Sequence, residues 1–252
     1  IGTDIAAKAP ADGYTLLMMS NTHTANETLI PNKPFALMRD FVAVASINYS
    51  DLLLVAHPGT GINSVADLLA KAKAQPGKIN YASSGPGTPY HMAGELFKYM
   101  AKVDMVHVPY KGSSGARTDV LGGQVDLMFD AVTTMAEHVK AGKVKALATT
   151  GRARSTVLPE VPTVSEAGVA GYEATIWLGL MAPKGTPKDA IDKLNAALKA
   201  ALNDPGVKQR LADLSSEIPP MDKVSPEGLR THLEAEIKKW GPVITKAGIY
   251  AD

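Results

Sequence analysis

The chain has 252 residues, of which 45% are hydrophobic and 20% charged, and its formal net charge is +1. This composition is typical of a globular protein with one large or two moderate domains, and the balanced charge argues against a dedicated nucleic-acid binder. The absence of cysteine excludes disulfides, thiolate metal sites and a cysteine nucleophile. The longest apolar runs, such as residues 51–56 and 177–182, are too short to span a membrane.

The chain begins at Ile1 without a methionine, and no signal-peptide pattern follows. The first residues, "GTDIAAKAPADGYTLLMMS", are typical of a capped helix and the second strand of a longer unit. We therefore expect a mature or truncated chain, with any targeting segment lying upstream of Ile1.

Strand-like and helical segments alternate along the rest of the chain. Short apolar strands are predicted at residues 14–19, 52–56, 79–82, 105–108, 127–129, 146–149 and 176–181. Amphipathic helices are predicted at residues 64–74, 90–101, 115–122, 133–141, 187–203, 205–214 and 226–247. Short buried strands that alternate with helices are typical of parallel βαβ units, so the predicted fold class is α/β.

Four of the predicted strands end in loops that are rich in small polar residues. These loops contain Ser20, Asn21, Thr22, His23 and Thr24; Ser83, Ser84, Gly85, Pro86, Gly87 and Thr88; residues 109–115 with Tyr110; and Asp130 with Ala131. In open α/β sheets, ligands bind beyond the carboxyl ends of the strands, where loops lead into helix N-termini. Each loop alone is well explained by a tight turn or a helix cap, whereas four together favour a binding cleft.

The segment "NYASSGPGTPYHMAGELF" at residues 80–97 indicates the kind of ligand. Small residues between a strand and a helix leave backbone N–H groups bare, which suits an anion or a carboxylate, unless the segment is merely a tight turn. Hydroxyls of Ser20, Thr22, Ser84 and Thr88 add donors. Since no arginine lies in the four loops, we expect neutral groups to hold the anion, with Lys111 either adding charge or pointing to solvent.

Other residues near these loops allow two interpretations. His23 and His91 are either capping or packing residues, or donors that make affinity pH-dependent. Trp177 either stacks on a ring of the ligand or packs in the core. Asp130 would repel a carboxylate, so it either caps the following helix or pairs with an ammonium or hydroxyl of the ligand. Glu95 follows the first turn of its helix and is expected to be solvated.

The sequence carries no signature of catalysis or of a cofactor. It lacks a G-x-S-x-G nucleophile elbow and a G-x-x-x-x-G-K-[ST] phosphate loop, and residues 85–87 lack the third glycine of a dinucleotide fingerprint. The six histidines are scattered, without the i, i+4 spacing typical of zinc ligands on a helix. A site that holds a ligand without reacting is therefore favoured, with no metal and no cofactor.

Most of the chain carries a resemblance to one family. The matching stretches are "ADGYTLLMMSNTHTANETL", "GKINYASSGPGTPYHMAGELFKYMAKVDMVHVPYKGSSGARTDVLGGQVDLMFDAV", "GKVKALATTGRARSTVLPEVPTVSEAGVAGYEATIWLGLMAPKGTP" and "EIKKWGPVITKAGI". They closely resemble the Bug family, the extracytoplasmic solute receptors of tripartite tricarboxylate transporters. Members of that family have an earlier strand, a glycine-rich loop and a helix before the position of Ile1, so this part of the cleft is expected to be missing.

The resemblance implies a type II periplasmic-binding-protein fold, in which two α/β lobes surround a central ligand cleft. Following the family's layout, lobe 1 comprises residues 1–57 and 174–252, including the C-terminal helices, and lobe 2 comprises residues 58–173. A cluster of strand-breaking residues at 57–61 agrees with the first crossing between lobes. Small-ligand sites preferentially occur between domains, which agrees with the proposed cleft.

The resemblance also implies a periplasmic receptor that captures a small carboxylate and delivers it to the membrane components of a tripartite tricarboxylate transporter. The expected ligand contacts are Ser20, Asn21, Thr22, His23, Ser83, Ser84, Gly87, Thr88, Tyr110, Asp130 and Trp177. The expected ligand is a mono- or dicarboxylate, an aromatic acid or an amino acid, and a monomer is expected. The alternative is a sensor that presents its ligand to a membrane histidine kinase; an enzyme is disfavoured because no catalytic signature is present.

Overall fold

The computed structural model describes residues 1–250, and the chain divides into two compact units. Unit 1 contains Ile1–Tyr49 and Ile176–Asp252, and unit 2 contains Ser50–Thr175. The chain therefore passes between the units twice. The first passage lies inside a long strand, whereas the sequence placed it in the strand-breaking cluster at residues 57–61.

The secondary structure of residues 1–250 alternates between helices and strands. The helices are α1 (Gly2–Ala7), α2 (Asn21–Leu29), α3 (Leu37–Asp40), α4 (Val65–Ala74), α5 (Pro89–Ala101), α6 (Ser113–Leu121), α7 (Val132–Lys140), α8 (Lys188–Asn203), α9 (Pro205–Asp213) and α10 (Pro226–Ala247). The strands are β1 (Leu17–Ser20), β2 (Phe41–Ala56), β3 (Asn80–Ser83), β4 (Val106–Pro109), β5 (Leu127–Ala131), β6 (Lys145–Thr149), β7 (Thr175–Pro183) and β8 (Ser216–Glu217).

Unit 1 is built on β1, β7 and the first part of β2. Strand β1 runs antiparallel to β7, with Leu17 opposite Met181, and β7 lies beside β2. Helix α10 packs along α2. One core cluster of this unit combines strand and helix residues, among them Met19, Phe41, Trp177, Leu229 and Leu233. Burial of these apolar side chains is the main force that holds the α10 face against the strands.

Unit 2 has the strand order β6–β2–β5–β3–β4, with the second part of β2 inside the sheet. Strand β3 runs parallel to β4 and β5, whereas β2 runs antiparallel to β5 and β6. The prediction of parallel βαβ units is thus confirmed for β3, β4 and β5. It is wrong for β2, which pairs antiparallel with β5 and β6, and for β1, which pairs antiparallel with β7. Because parallel strands end at the same edge, the carboxyl ends of β3, β4 and β5 lie together.

Several elements of unit 1 differ from the sequence prediction, including α3 and β8, which it does not contain. The sequence predicts a loop at residues 21–24, which form the first turn of α2, and no strand at residues 41–51, which begin β2. The residues Asn21, Thr22 and Thr24 individually favour turns. Packing of α2 against α10 outweighs this preference, as tertiary contacts commonly stabilise helices of weak intrinsic propensity.

No helix within residues 1–250 is both long enough and apolar enough to cross a membrane.

Candidate functional site

The carboxyl ends of β3, β4 and β5 bring part of the predicted site together in unit 2. We call this edge the strand rim, comprising residues 83–88, 110–113 and 130–132. Two backbone bonds join its loops, since Tyr110 N donates to Ser83 O at 3.0 Å and Gly112 N donates to Ser84 O at 3.2 Å. The predicted contacts at the rim are Ser83, Ser84, Gly87, Thr88, Tyr110 and Asp130. The remaining ones, Ser20, Asn21, Thr22, His23 and Trp177, belong to unit 1.

Three backbone N–H groups of the loop at residues 83–88 already have hydrogen-bond acceptors within unit 2. Gly85 N donates to Ser83 Oγ at 3.1 Å, Gly87 N donates to His91 Nδ1 at 3.0 Å, and Thr88 N donates to Gly85 O at 3.4 Å. The expectation of bare N–H groups is therefore wrong for these three residues. Gly85 and Gly87 have φ angles of +130° and +72°, which favour glycine.

The hydroxyl groups of Thr88 and Ser84 in the same loop differ in whether they can still donate a hydrogen bond to a ligand. Thr88 is the N-cap of α5, and its Oγ1 donates to Gly85 O at 2.7 Å while accepting from His91 N at 3.5 Å. The hydroxyl proton of Thr88 therefore already has an acceptor within the loop. Ser84 is partly exposed, and its hydroxyl has no hydrogen-bond partner among residues 1–250. Ser84 is therefore the hydroxyl donor that this loop offers to a ligand.

Helices α6 and α7 start at the strand rim without a side-chain cap. Their N-cap residues are Gly112 and Ala131, neither of which provides a capping hydrogen bond from its side chain. The first-turn N–H groups of both helices consequently keep their capacity to donate, and the helix dipoles add positive potential. This arrangement favours an acceptor with negative charge, in agreement with the expectation from the sequence.

Asp130 is fully buried at the end of β5 and is paired with Arg117 of α6. Arg117 Nε donates to Asp130 Oδ2 at 2.7 Å, and Ala131 N donates to Asp130 Oδ1 at 2.8 Å. The hydrogen bond to Asp130 raises the pKa of Arg117. Neither interpretation from the sequence is needed to explain Asp130, because its countercharge comes from the protein itself and its side chain does not cap α7.

Arg117 is the residue at this edge that sequence reasoning missed. It lies within α6 beyond the loop that precedes the helix, and only the sheet brings it to Asp130. Its side chain is 23% exposed, and its Nη1 and Nη2 groups have no hydrogen-bond partner in the described chain. The guanidinium therefore retains donors for a second acceptor, and guanidinium groups bind carboxylates strongly.

The ring of Tyr110 packs against the core of unit 2, and its hydroxyl forms a hydrogen bond with a residue of α6. The hydroxyl lies 2.5 Å from Asp119 Oδ2 and donates to it. Burial, followed by this hydrogen bond, raises the pKa of Tyr110 to about 12. The hydroxyl is thus a structural tie between the β4–α6 connection and the helix.

Beneath the rim lies a group of polar side chains that we call the histidine network. It consists of Tyr81, Ser83, His91, Glu95, Lys98 and His107. Glu95 Oε1 accepts from Tyr81 Oη at 2.7 Å and from Lys98 Nζ at 2.8 Å, and Glu95 is only 4% exposed. The expectation that Glu95 is solvated is wrong, because its partner Tyr81 comes from β3, a contact that helix position alone does not reveal.

The two histidines of this network are stacked and neutral. Their ring centroids lie 3.8 Å apart, and His107 Nε2 lies 2.6 Å from Ser83 Oγ. Burial, followed by the charges of His107 and Lys98, lowers the pKa of His91 to about 3. Burial also lowers the pKa of His107 to about 4, against the opposing effect of Glu95. Both rings therefore carry no charge near neutral pH.

In unit 1, Ser20 and His23 form a capping box at the start of α2. Ser20 N donates to His23 Nδ1 at 3.1 Å, and burial lowers the pKa of His23. Asn21 is buried, whereas Thr22 is partly exposed and its hydroxyl has no partner within residues 1–250. The capping interpretation of His23 is the one that the geometry supports, and Thr22 is the hydroxyl donor still available in this turn.

Trp177 lies in the core of unit 1 and is 4% exposed. Its Nε1 donates to Glu236 Oε2 at 3.1 Å, the same oxygen that accepts from Trp240 Nε1 at 2.8 Å. Burial acts to raise the pKa of Glu236, but the charge of Lys239 and the two indole N–H groups lower it on balance. The core-packing interpretation of Trp177 agrees with this geometry.

Within the part of the chain that the structure describes, no group of three or more histidine, aspartate or glutamate side chains is arranged to hold a metal ion.

Comparison with known proteins gives a consistent result over the whole chain. The sequence profile described as "Tripartite tricarboxylate transporter family receptor" (TctC) matches residues 1–249. The protein BugT of Bordetella pertussis (strain Tohama I) is 34% identical, and the match covers 98% of this chain and 76% of BugT.

Two solved structures from Rhodopseudomonas palustris are also similar. Rpa4515, described with adipate, is 34% identical with a TM-score of 0.83, covering 98% of this chain and 82% of that one. MatC, described with bound malate, is 32% identical with a TM-score of 0.82, and the match covers 96% of this chain and 83% of MatC. These similarities confirm the periplasmic-binding-protein fold and the resemblance to the Bug proteins. The chain belongs to the family of tripartite tricarboxylate transporter receptors, TctC.

Proposed function

We propose that this protein is a periplasmic receptor that captures a small organic carboxylate and delivers it to the membrane components of a tripartite tricarboxylate transporter. The observation that carries the proposal is the likeness over nearly the whole chain to Rpa4515 and MatC, whose structures are described with adipate and malate. Both ligands are small aliphatic acids. A receptor holds such a ligand without changing it, so the acid is recovered intact.

The chemistry of the strand rim supports the choice of a carboxylate. Ser84 offers a free hydroxyl, the starts of α6 and α7 offer uncapped N–H groups, and Arg117 offers guanidinium donors. All of these groups donate hydrogen bonds, and one of them carries a positive charge. A carboxylate accepts hydrogen bonds only, so it matches this set of donors.

The proposal is tested by a thermal-shift screen of adipate, malate, aromatic acids, amino acids and neutral sugars. We expect at least one carboxylate to raise the melting temperature, since a ligand at 100 times its dissociation constant stabilises by about 2.7 kcal/mol. Calorimetry then gives the affinity, and mass spectrometry of the incubated acid shows whether it is intact. A screen in which only neutral sugars stabilise the protein, or an acid converted to product, would contradict the proposal.

The contribution of Arg117 is tested with the double variant Arg117→Gln/Asp130→Asn. Changing both residues avoids leaving the buried Asp130 charge without its partner, which would itself be strongly destabilising. Loss of a charged hydrogen bond is expected to weaken binding of the acid found in the screen roughly tenfold or more. The control is Arg154→Gln, which changes an exposed arginine paired with Glu166 at 2.9 Å in the same unit. Equal affinities for the two variants would remove Arg117 from the site.

A further inference from the structure

We propose that His91 is a positioning residue, which fixes the loop at residues 84–88 by accepting the N–H of Gly87 and so places Ser84 at the strand rim. The role of Ser84 toward a carboxylate rests on the proposed function. The hold of His91 on the loop does not, since it depends only on contacts within unit 2.

The contact between the loop and the ring is direct. Gly87 N donates to His91 Nδ1 at 3.0 Å, and His91 is 2% exposed. With water excluded, the Gly87 N–H has no replacement acceptor if this nitrogen is lost. Accepting this bond requires Nδ1 to be unprotonated, so the ring proton lies on Nε2, which faces Glu95 Oε1 at 3.8 Å.

A second ring supports the other side of the loop. His107 stacks on His91 and lies within hydrogen-bond distance of Ser83 Oγ, which in turn accepts from Gly85 N at 3.1 Å. Gly85 and Gly87 are thus each held through one of two stacked imidazoles. The residue between them is Pro86, which has no N–H, so these bonds account for the amide donors on either side of it.

The surroundings of His91 keep its ring neutral. The titratable groups that face it are Tyr81 from β3, His107 from β4, and Glu95 and Lys98 from its own helix. Lys98 is already bound to Glu95 at 2.8 Å, so the carboxylate has a cation without a charged imidazole. Protonating Nδ1 would replace an acceptor with a donor facing Gly87 N–H, and the loop would lose its anchor.

The test compares His91→Asn with His91→Leu in the whole protein. The Asn amide oxygen and the His Nδ1 are both bonded to Cγ, so Asn can restore the acceptor whereas Leu cannot. The matched controls are His57→Asn and His57→Leu, because His57 Nδ1 also accepts a backbone N–H, that of Gly59 at 3.1 Å, away from the strand rim. Melting temperatures establish that each variant is folded.

The first readout is the hydrogen-exchange rate of the Gly87 amide by NMR, measured without any ligand. We expect His91→Leu to speed this exchange about tenfold or more, as loss of one buried hydrogen bond implies, and His91→Asn to stay within about threefold of the native protein. The His57 variants should leave it unchanged. Unchanged exchange in His91→Leu, or equal acceleration in both His91 variants, overturns the proposal.

The second readout is affinity for malate and adipate by calorimetry. We expect His91→Leu to bind the acid more weakly by about tenfold, and His91→Asn to restore most of the affinity. If neither acid binds even the native protein while Gly87 exchange follows the expected pattern, the positioning role stands and the choice of these acids fails. If His91→Leu binds the acid as tightly as native protein, the loop is not placed by His91 for binding, and the proposal is overturned.

Discussion

Helices α5 and α10 carry the same pattern of side chains, one in each unit, and use it differently. In both, a histidine is followed four residues later by a glutamate and three residues after that by a lysine. The residues are His91, Glu95 and Lys98 in α5, and His232, Glu236 and Lys239 in α10. In both helices the glutamate is buried and paired with its lysine, at 2.8 Å in α5 and 3.4 Å in α10.

The two patterns differ in the partners that come from other elements. In α5, Glu95 accepts from Tyr81 of β3, and His91 reaches the loop at the strand rim. In α10, Glu236 accepts hydrogen bonds from the indoles of Trp177 and Trp240. The rings of His232 and Trp177 form a T-shaped contact, with their centroids 4.7 Å apart. The first pattern therefore supports a loop, and the second fastens a helix to β7. Identical spacing along a helix therefore does not determine whether the pattern supports a loop or fastens a helix to a strand.

The largest difference between the two helices is expected in the free energy of unfolding, when the residue before each glutamate is substituted. These residues are Gly94 in α5 and Ala235 in α10. A Cβ on Gly94 would overlap the ring of Tyr81. Gly94→Ala should therefore lower the free energy of unfolding by about 3 kcal/mol through overpacking. The counterpart Ala235→Gly, on an exposed position, should cost only about 1 kcal/mol through helix propensity. Urea denaturation followed by circular dichroism measures both, and equal losses would show that Tyr81 can move aside.

A second difference is expected in the dependence of stability on pH, beginning with unit 2. Burial lowers the pKa of His91 to about 3, whereas an unfolded histidine titrates near 6.5. Between these values the unfolded chain binds more protons, so stability is fully present above pH 6.5 and falls as the pH falls. The loss from His91 should reach about 1.5 kcal/mol between pH 6.5 and pH 5. His91→Asn should remove this part of the slope in urea titrations; an unchanged slope would contradict it.

The corresponding change in unit 1 should occur at lower pH. The pKa of Glu236 is lowered in the folded protein, although burial alone would raise it. Its contribution to stability is therefore present above the usual carboxyl pKa of about 4.3 and is lost as the pH falls through the folded value. Glu236→Gln should flatten only the limb below about pH 4.5, leaving the slope above it unchanged. A changed slope at pH 5–6.5 would contradict the assignment.

The smallest expected effect separates two buried tyrosines that both bind α5. Tyr81 donates to the Glu95 carboxylate at 2.7 Å, and Tyr172 donates to the backbone carbonyl of Ala93 at 2.8 Å. Because hydrogen bonds to charged groups contribute more, Tyr81→Phe should destabilise by about 1 kcal/mol more than Tyr172→Phe. Equal values in urea denaturation would mean that Lys98 alone satisfies Glu95.

Much of the fold of unit 2 could be predicted because its signals are local. Thr88 followed by Pro89 marks the start of α5, and the structure places the helix at Pro89–Ala101 against a predicted 90–101. The strand predicted before it, at residues 79–82, differs from β3 by one residue at each end. In unit 1, α2 was missed because Ser20 and His23 form a capping box with histidine at the position where glutamate or glutamine is usual.

The candidate site was predictable in position but not in its pairings. The loops after β3, β4 and β5 were identified because strand ends and helix starts are visible in sequence. The contact of Arg117 with Asp130 was not, since it depends on the packing of α6 against β5. Likewise, whether Thr88 or Ser84 has a free hydroxyl depends on the turn at Gly85. Tertiary neighbours decide these points, and no local pattern encodes them.

The two indoles that share Glu236 have an optical consequence. The chain contains two tryptophans, Trp177 and Trp240, and both are buried in unit 1 on this one carboxylate. Emission excited selectively in tryptophan therefore reports the surroundings of α10 and β7 and nothing in unit 2. Melting curves recorded by fluorescence and by circular dichroism would coincide if the units unfold together and separate if they unfold in turn. The protein thus contains its own spectroscopic label for one unit, without any added dye.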